Sequence, residues 1–225
     1  MIEEVRNKVT GLLSTDKSGH GSEHVERVAR LAEKFAKQEG ANVETAVLIA
    51  LLHDADDYKL FGAECAENFT NTKRILTECG ASQEVIDTVI AAMKTIGYSK
   101  RLAGLSPETL EGKIVSDADM CDGIGATGIL RSFQYNIAHD KLFFDKDIFP
   151  VLELTSSEYK NKTEGTVVTH MFEKLLTLKD LMLTESGKQE AVARHEIMID
   201  FLRHYFDEVD APEWTKYLDE YLAKR

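Results

Sequence analysis

His53-Asp54 closes the run Ala46-Val47-Leu48-Ile49-Ala50-Leu51-Leu52. An uninterrupted apolar run of that length forms an element buried on every side. A polar pair at its end is then costly, at roughly 1–3 kcal/mol for each unsatisfied group and more for a charge. A bound metal ion is one compensation, because imidazole and carboxylate are both ligands. Two further donors of the right kind flank the pair, His24 upstream and Asp119 downstream. A divalent-metal hydrolase is the class these donors suggest.

Composition narrows the alternatives. At 225 residues the chain is expected to form one domain, 1–225, with a large core. A formal net charge of −12 argues against nucleic acid or an anionic membrane as a partner. A small phosphorylated substrate stays open, since a metal and a few Lys or Arg make a local positive site. Three cysteines, Cys65, Cys79 and Cys121, lack CxxC spacing and read as free thiols in a reducing compartment. Residues 1–6 carry no signal pattern, and no segment approaches the roughly 18 apolar residues of a membrane helix. A cytoplasmic location is the expectation. The oligomeric state is left open.

Helical periodicity runs nearly throughout, so an all-α fold is expected. Helices are predicted over about 2–14, from Ser22 as N-cap to Gly40, over 43–54, 62–79 and 82–96, and from near Pro107 to Asp122. Val28, Leu31, Ala32, Phe35 and Ala36 form the buried stripe of the second helix, and His24 lies one turn before it, facing inward. The glycine-dense stretch 123–128 lacks the Lys and Ser/Thr of a phosphate loop and reads as close helix packing. The core should span about 18–135. Residues 136–163 are polar, aromatic and irregular, a candidate lid or insertion. C-terminal helices follow over about 164–224: 165–183, 186–208 and a short one from Pro212.

Two imidazoles and two carboxylates suit one borderline divalent ion: manganese, magnesium, iron, cobalt, nickel or zinc. Such an ion with open positions can hold a water, with its pKa lowered toward neutrality, and a substrate oxygen. That is the chemistry of phosphate-ester or phosphoanhydride hydrolysis. A serine hydrolase fits poorly, because no GxSxG elbow exists.

The pattern His24-Val25-Glu26-Arg27-Val28, Leu51-Leu52-His53-Asp54 and Asp117-Ala118-Asp119 resembles the HD-domain phosphohydrolase superfamily. Its closer likeness is to small bacterial HD hydrolases that include nucleotide pyrophosphohydrolases. That likeness takes in Ser18-Gly19-His20, Asp57-Tyr58-Lys59, Gly125-Ala126-Thr127-Gly128-Ile129, Phe172–Leu176 and Lys179–Met182, about residues 18–205 in all. The resemblance implies an all-helical HD bundle and a nucleotide substrate, with manganese or magnesium favoured. It also implies His24, His53, Asp54 and Asp119 as ligands. Helical periodicity does not separate Asp117 from Asp119, since both faces of their helix are apolar; the resemblance places the ligand on Asp119.

Asp57 stands four residues after His53, one turn along if the helix continues. The resemblance makes it a general acid/base or water-orienting group beside Asp54; an ordinary helix-end carboxylate is the alternative. Asp56 reads as solvated. The resemblance offers His20, Lys59, Arg131 and Lys174 as phosphate contacts, each of which could equally be a surface charge. Arg27 could instead pair with Glu23 or Glu26. Asp122 is a candidate for the substrate side, or an acceptor for a ligand histidine. HD proteins with several metals carry extra histidines after His-Asp; residues 91–98 have none, so one metal is expected. His139, His195 and His204 are assigned to surface or packing. A 5′-nucleotidase, a cyclic-nucleotide phosphodiesterase, a non-catalytic nucleotide-binding regulator and a metal-free buried ion-pair network are the competing readings.

Overall fold

Helix α3 (Val43–Leu52) lies at the centre because every residue from Ala46 to Leu52 is buried. The computed structural model describes residues 1–14, 21–152 and 165–225. Around α3 pack α1 (Ile2–Leu13), α2 (Ser22–Glu39), α7 (Gln83–Met93) and α9 (Leu110–Asp122). Each large aliphatic side chain fully buried there contributes roughly 1.5–3 kcal/mol. The Asn42 side chain caps α3 by accepting from Thr45 N at 3.0 Å. Gly40, left-handed at φ 71°, ends α2 and lets the chain turn into α3.

Helix α9 is also enclosed. From Ile114 to Asp122 only Asp119 keeps partial exposure. So α2, α3 and α9 form a central layer in mutual contact, and each delivers polar side chains to one place. No strand occurs among the described residues. No helix among them is long and apolar enough to cross a membrane.

Several predicted helices are broken in the structure, each for a visible reason. Helix α3 stops at Leu52 rather than running to Asp54, and residues 53–56 form turns. The span 62–79 divides into α5 (Ala63–Asn68) and α6 (Thr70–Glu78), after the short α4 (Tyr58–Phe61). Phe69 at the joint is left-handed at φ 52°. Asp56 holds the start of α6, accepting from Asn71 N at 2.7 Å and Thr72 N at 3.0 Å. It is 5% exposed, so its reading as solvated is corrected: it caps a helix rather than facing water. Gly21, not Ser22, caps α2, without a side-chain bond. A short α8 (Tyr98–Leu102) follows α7.

The span 165–183 also divides. Helix α11 (Val167–Glu173) ends where Lys174 takes φ −133° and ψ −59°, and a 3-10 helix covers Leu175–Leu181. Helix α12 (Glu185–Glu208) and α13 (Pro212–Ala223) complete the chain. Asp117 reaches the start of α12, accepting from Leu183 N, Thr184 N and Thr184 Oγ1 at 2.7–3.0 Å. The approach is so close that a Cβ on Gly187 would lie 2.3 Å from Asp117 Oδ2, so only glycine fits there.

In its described part the candidate lid over 136–163 is the end of α10 (Gly125–Ala138) followed by a packed strap; residues 153–163 lie outside the described residues. The Phe149 ring stacks on Trp214 at 4.6 Å, and Phe144 meets Trp214 edge-on at 5.1 Å. Trp214 Nε1 donates to the Lys146 carbonyl at 3.1 Å. The strap is thereby tied to α13.

His195 on α12 is 4% exposed. Burial, helped by Lys179 and Arg225, pushes its pKa down to about 4 despite Asp180. The unfolded ring titrates near its ordinary 6.5. Between about pH 6.5 and 4 only the unfolded chain takes that proton, so stability falls as pH falls, by up to about 1.4 kcal/mol per pH unit from this group. Urea unfolding across that window should show a shallower pH slope for His195→Leu than for the wild type. Equal slopes would remove His195 from the account.

Candidate metal centre

His24 projects from the first turn of α2 and is 2% exposed. Its Nδ1 lies 2.7 Å from Asp122 Oδ2, and a carboxylate only accepts, so Nδ1 carries the proton. His53, at the end of α3, donates Nδ1–H to the Ala50 carbonyl at 2.7 Å. Both rings therefore turn Nε2 inward, and the two Nε2 atoms are 3.2 Å apart. Asp54 Oδ2 is 3.5 Å from each Nε2. Asp119 Oδ1 is 3.5 Å from His24 Nε2 and 3.8 Å from His53 Nε2. Asp54 comes from the turn after α3, and Asp119 is the one partly exposed position of the buried half of α9.

The electrostatics call for a cation. Burial alone would lower the His24 pKa, but Asp119, Asp122 and Asp54 outweigh it and raise it to about 10. Burial likewise pushes Asp119 up, and His24 and His53 reverse this, leaving it below the ordinary carboxylate value. Two neutral imidazoles with lone pairs 3.2 Å apart repel, whereas a proton or a divalent ion between them satisfies both. Donors sharing one ion at about 2.0–2.2 Å stand about 3.0–3.5 Å from each other. The separations of 3.2–3.5 Å fit, the 3.8 Å from Asp119 to His53 is slightly wider, and His24, His53 and Asp119 form a group that could hold a metal ion.

The other predicted residues fall into two sets. Lys174, at the break after α11, sits with Nζ 4.6 Å from the Tyr98 ring centroid. Burial lowers its pKa to about 8; Asp119 opposes this, while Lys59 and Arg131 add to it. Lys174 thus lies within electrostatic range of Asp119 and of two further cations, Lys59 and Arg131. Lys59 Nζ lies 6.0 Å from both the Tyr58 and Tyr135 rings. Asp57 does not continue α3: it caps α4, its Oδ1 accepting from Lys59 N at 2.8 Å. His20 lies outside the described residues.

Asp122 has no exposed surface. Besides His24 it accepts from Arg27 Nε at 2.7 Å, Arg27 Nη2 at 3.0 Å and Arg131 Nη1 at 3.0 Å. Burial pushes its carboxyl up, but His24 and the two guanidinium groups hold it well below the carboxylate range. Arg27 pairs with Asp122 rather than with Glu26, one of the two partners open to it in the sequence, and Glu26 pairs with Arg6. The missed signal is spacing: Arg27 follows His24 by three, and Asp122 follows Asp119 by three, so each pair shares a helix face. Asp117 points away, to α12.

Residues 21–124 match the family model described as HD domain. Over 202 residues the chain is 32% identical to the uncharacterized protein YpgQ of Bacillus subtilis (strain 168), covering 89% of this chain and 90% of YpgQ. The chain belongs to the HD domain family. A crystal structure from Lactobacillus plantarum superposes with a TM-score of 0.81 at 32% identity, covering 93% of this chain and 97% of that one. An HD-superfamily hydrolase from Bacillus thuringiensis gives 0.68 at 33% identity over 93% and 97%. Bacillus subtilis YpgQ in complex with ADP gives 0.72 at 28% identity over 93% and 98%. The chain is accordingly a metal-dependent phosphohydrolase of the HD type.

Binding of a divalent ion to the native state alone should raise stability. With free Mn²⁺ at 100 times its dissociation constant the gain is about 2.7 kcal/mol. Denaturant unfolding should show this gain in the wild type, reversed by chelator, and no gain in Asp119→Ala at the same Mn²⁺ concentration. An equal gain in both would place the ion elsewhere.

Proposed function

We propose that the protein is a nucleoside triphosphate pyrophosphohydrolase that binds one divalent ion, manganese or magnesium, through His24, His53, Asp54 and Asp119. The observation that carries the reading is that Lys174 lies within electrostatic range of the centre's Asp119 and of two more cations, Lys59 and Arg131, in a chain of net charge −12. A local excess of cations beside a carboxylate-rich centre suits a polyphosphate chain. The ADP complex of the relative YpgQ supports a nucleotide over a simpler phosphate ester.

A divalent ion held there supplies Lewis-acid polarisation and lowers the pKa of a nearby water. Lys59, Arg131 and Lys174 hold phosphate oxygens and offset charge that builds on the leaving group. His20 belongs with them as a further donor. Asp57 orients the attacking water and takes its proton. The new bond joins the water oxygen to the α phosphorus. The bond from that phosphorus to the bridging oxygen breaks, and pyrophosphate leaves with the electron pair. Four donors from one ligand set, and the lack of any histidine over residues 91–98, favour one ion.

Incubating the purified protein with Mn²⁺ and a panel of ribo- and deoxyribonucleoside triphosphates, followed by phosphorus NMR of the products, tests the reading. Monophosphate plus pyrophosphate is expected. Asp57→Asn should lower kcat by about 10²–10⁴-fold, and Asp119→Ala should fall to background. Diphosphate plus phosphate would replace this activity with a phosphatase. Hydrolysis of only monophosphates or cyclic nucleotides would favour the nucleotidase or phosphodiesterase. Nucleotide binding without turnover would favour a regulator.

A further inference from the structure

We infer that Asp122 is a positioning residue for the metal centre, clamped by Arg27 and Arg131 so that it fixes the ring of His24. This deepens the proposed function and rests on the metal reading given there. The two histidines of the centre are held in different ways. His53 is oriented by a backbone carbonyl, that of Ala50, which side-chain substitution does not remove. His24 is oriented by a side chain, the Asp122 carboxylate at 2.7 Å. That carboxylate has no exposed surface and makes four contacts of 2.7–3.0 Å, one to His24, two to Arg27 and one to Arg131.

The arrangement spans three helices. Arg27 and His24 come from α2, Asp122 from α9 and Arg131 from α10. Arg27 lies three residues after His24, so the same helix that carries the ring also carries the group that pins its acceptor. With Oδ1 held by Arg27 and Oδ2 shared among Arg27, Arg131 and His24, the carboxylate cannot rotate away without disrupting three charge-assisted bonds to the two arginines. An acceptor fixed at Nδ1 leaves the proton there and the lone pair on Nε2, facing His53, Asp54 and Asp119. Carboxylates that orient a ligand histidine typically alter metal affinity by 10–100-fold when mutated. Arg131 also lies within electrostatic range of Lys174. Asp122 itself touches no solvent-open space and makes no substrate contact in this scheme.

The test is calorimetric titration of metal-free wild type, Asp122→Asn and Arg27→Gln with Mn²⁺, alongside thermal unfolding and kcat at saturating Mn²⁺. Asp122→Asn is expected to bind Mn²⁺ 10–100-fold more weakly, with kcat recovering to within about tenfold of wild type at saturation. Arg27→Gln, which keeps the carboxylate but loosens it, is expected to weaken binding by a smaller factor, about 3–10-fold. A folded Asp122→Asn protein with wild-type affinity overturns the inference. Should that variant fail to fold, Arg27→Gln decides: unchanged affinity overturns the inference and weakened affinity supports it. Wild type that binds no Mn²⁺ at all would instead overturn the metal reading beneath it.

Discussion

Two imidazole nitrogens meet 3.2 Å apart where three buried helices converge, and each has its other nitrogen committed to an acceptor. Nothing in an apolar core tolerates that arrangement without positive charge between the rings. The apolar run of α3 drives the helix to the centre of the bundle, and burial of α9 leaves Asp119 as its opening toward the same point. The hydrophobic core and the polar centre are therefore one construction: the packing that stabilises the fold also brings the donors together. Its cost in desolvation is met by charge pairing, visible in the opposed shifts of His24 upward and Asp119 and Asp122 downward.

Around this centre the chain reverses its overall electrostatic character. The net charge is −12, yet Lys174 lies within electrostatic range of Lys59, of Arg131 and of Asp119. Lys174 stands at the break between α11 and the 3-10 helix. An unbroken helix over 165–183 would have carried its backbone in a different direction. Two of the site's residues stand on irregular backbone: Asp54 lies in the turns after α3, and Lys174 at the end of α11.

Much of this was legible in the sequence, and the rest was not for identifiable reasons. The helical class, the central position of α3 and the inward direction of His24 follow from local periodicity. Asp117 and Asp119 were not separable by periodicity because α9 is enclosed nearly all round. What separates them is distant in the chain: Asp117 caps the start of α12 more than sixty residues later. Asp56 misled for the same reason, since the helix it caps starts fourteen positions on, and a carboxylate beside a motif looks solvated until that helix is placed. The breaks at Phe69 and Lys174 carry no Pro or Gly at the joint. The Arg27–Asp122 pair crosses between helices whose neighbourhood only the fold reveals.

The central claim is that His24 and His53 face a single cation together with carboxylate oxygen. X-ray absorption at the metal edge of the zinc-substituted protein tests it most directly. Two imidazole nitrogens and carboxylate oxygen are expected at about 2.0–2.2 Å from one ion. A spectrum with one imidazole or none, from protein containing one zinc per chain, would contradict it.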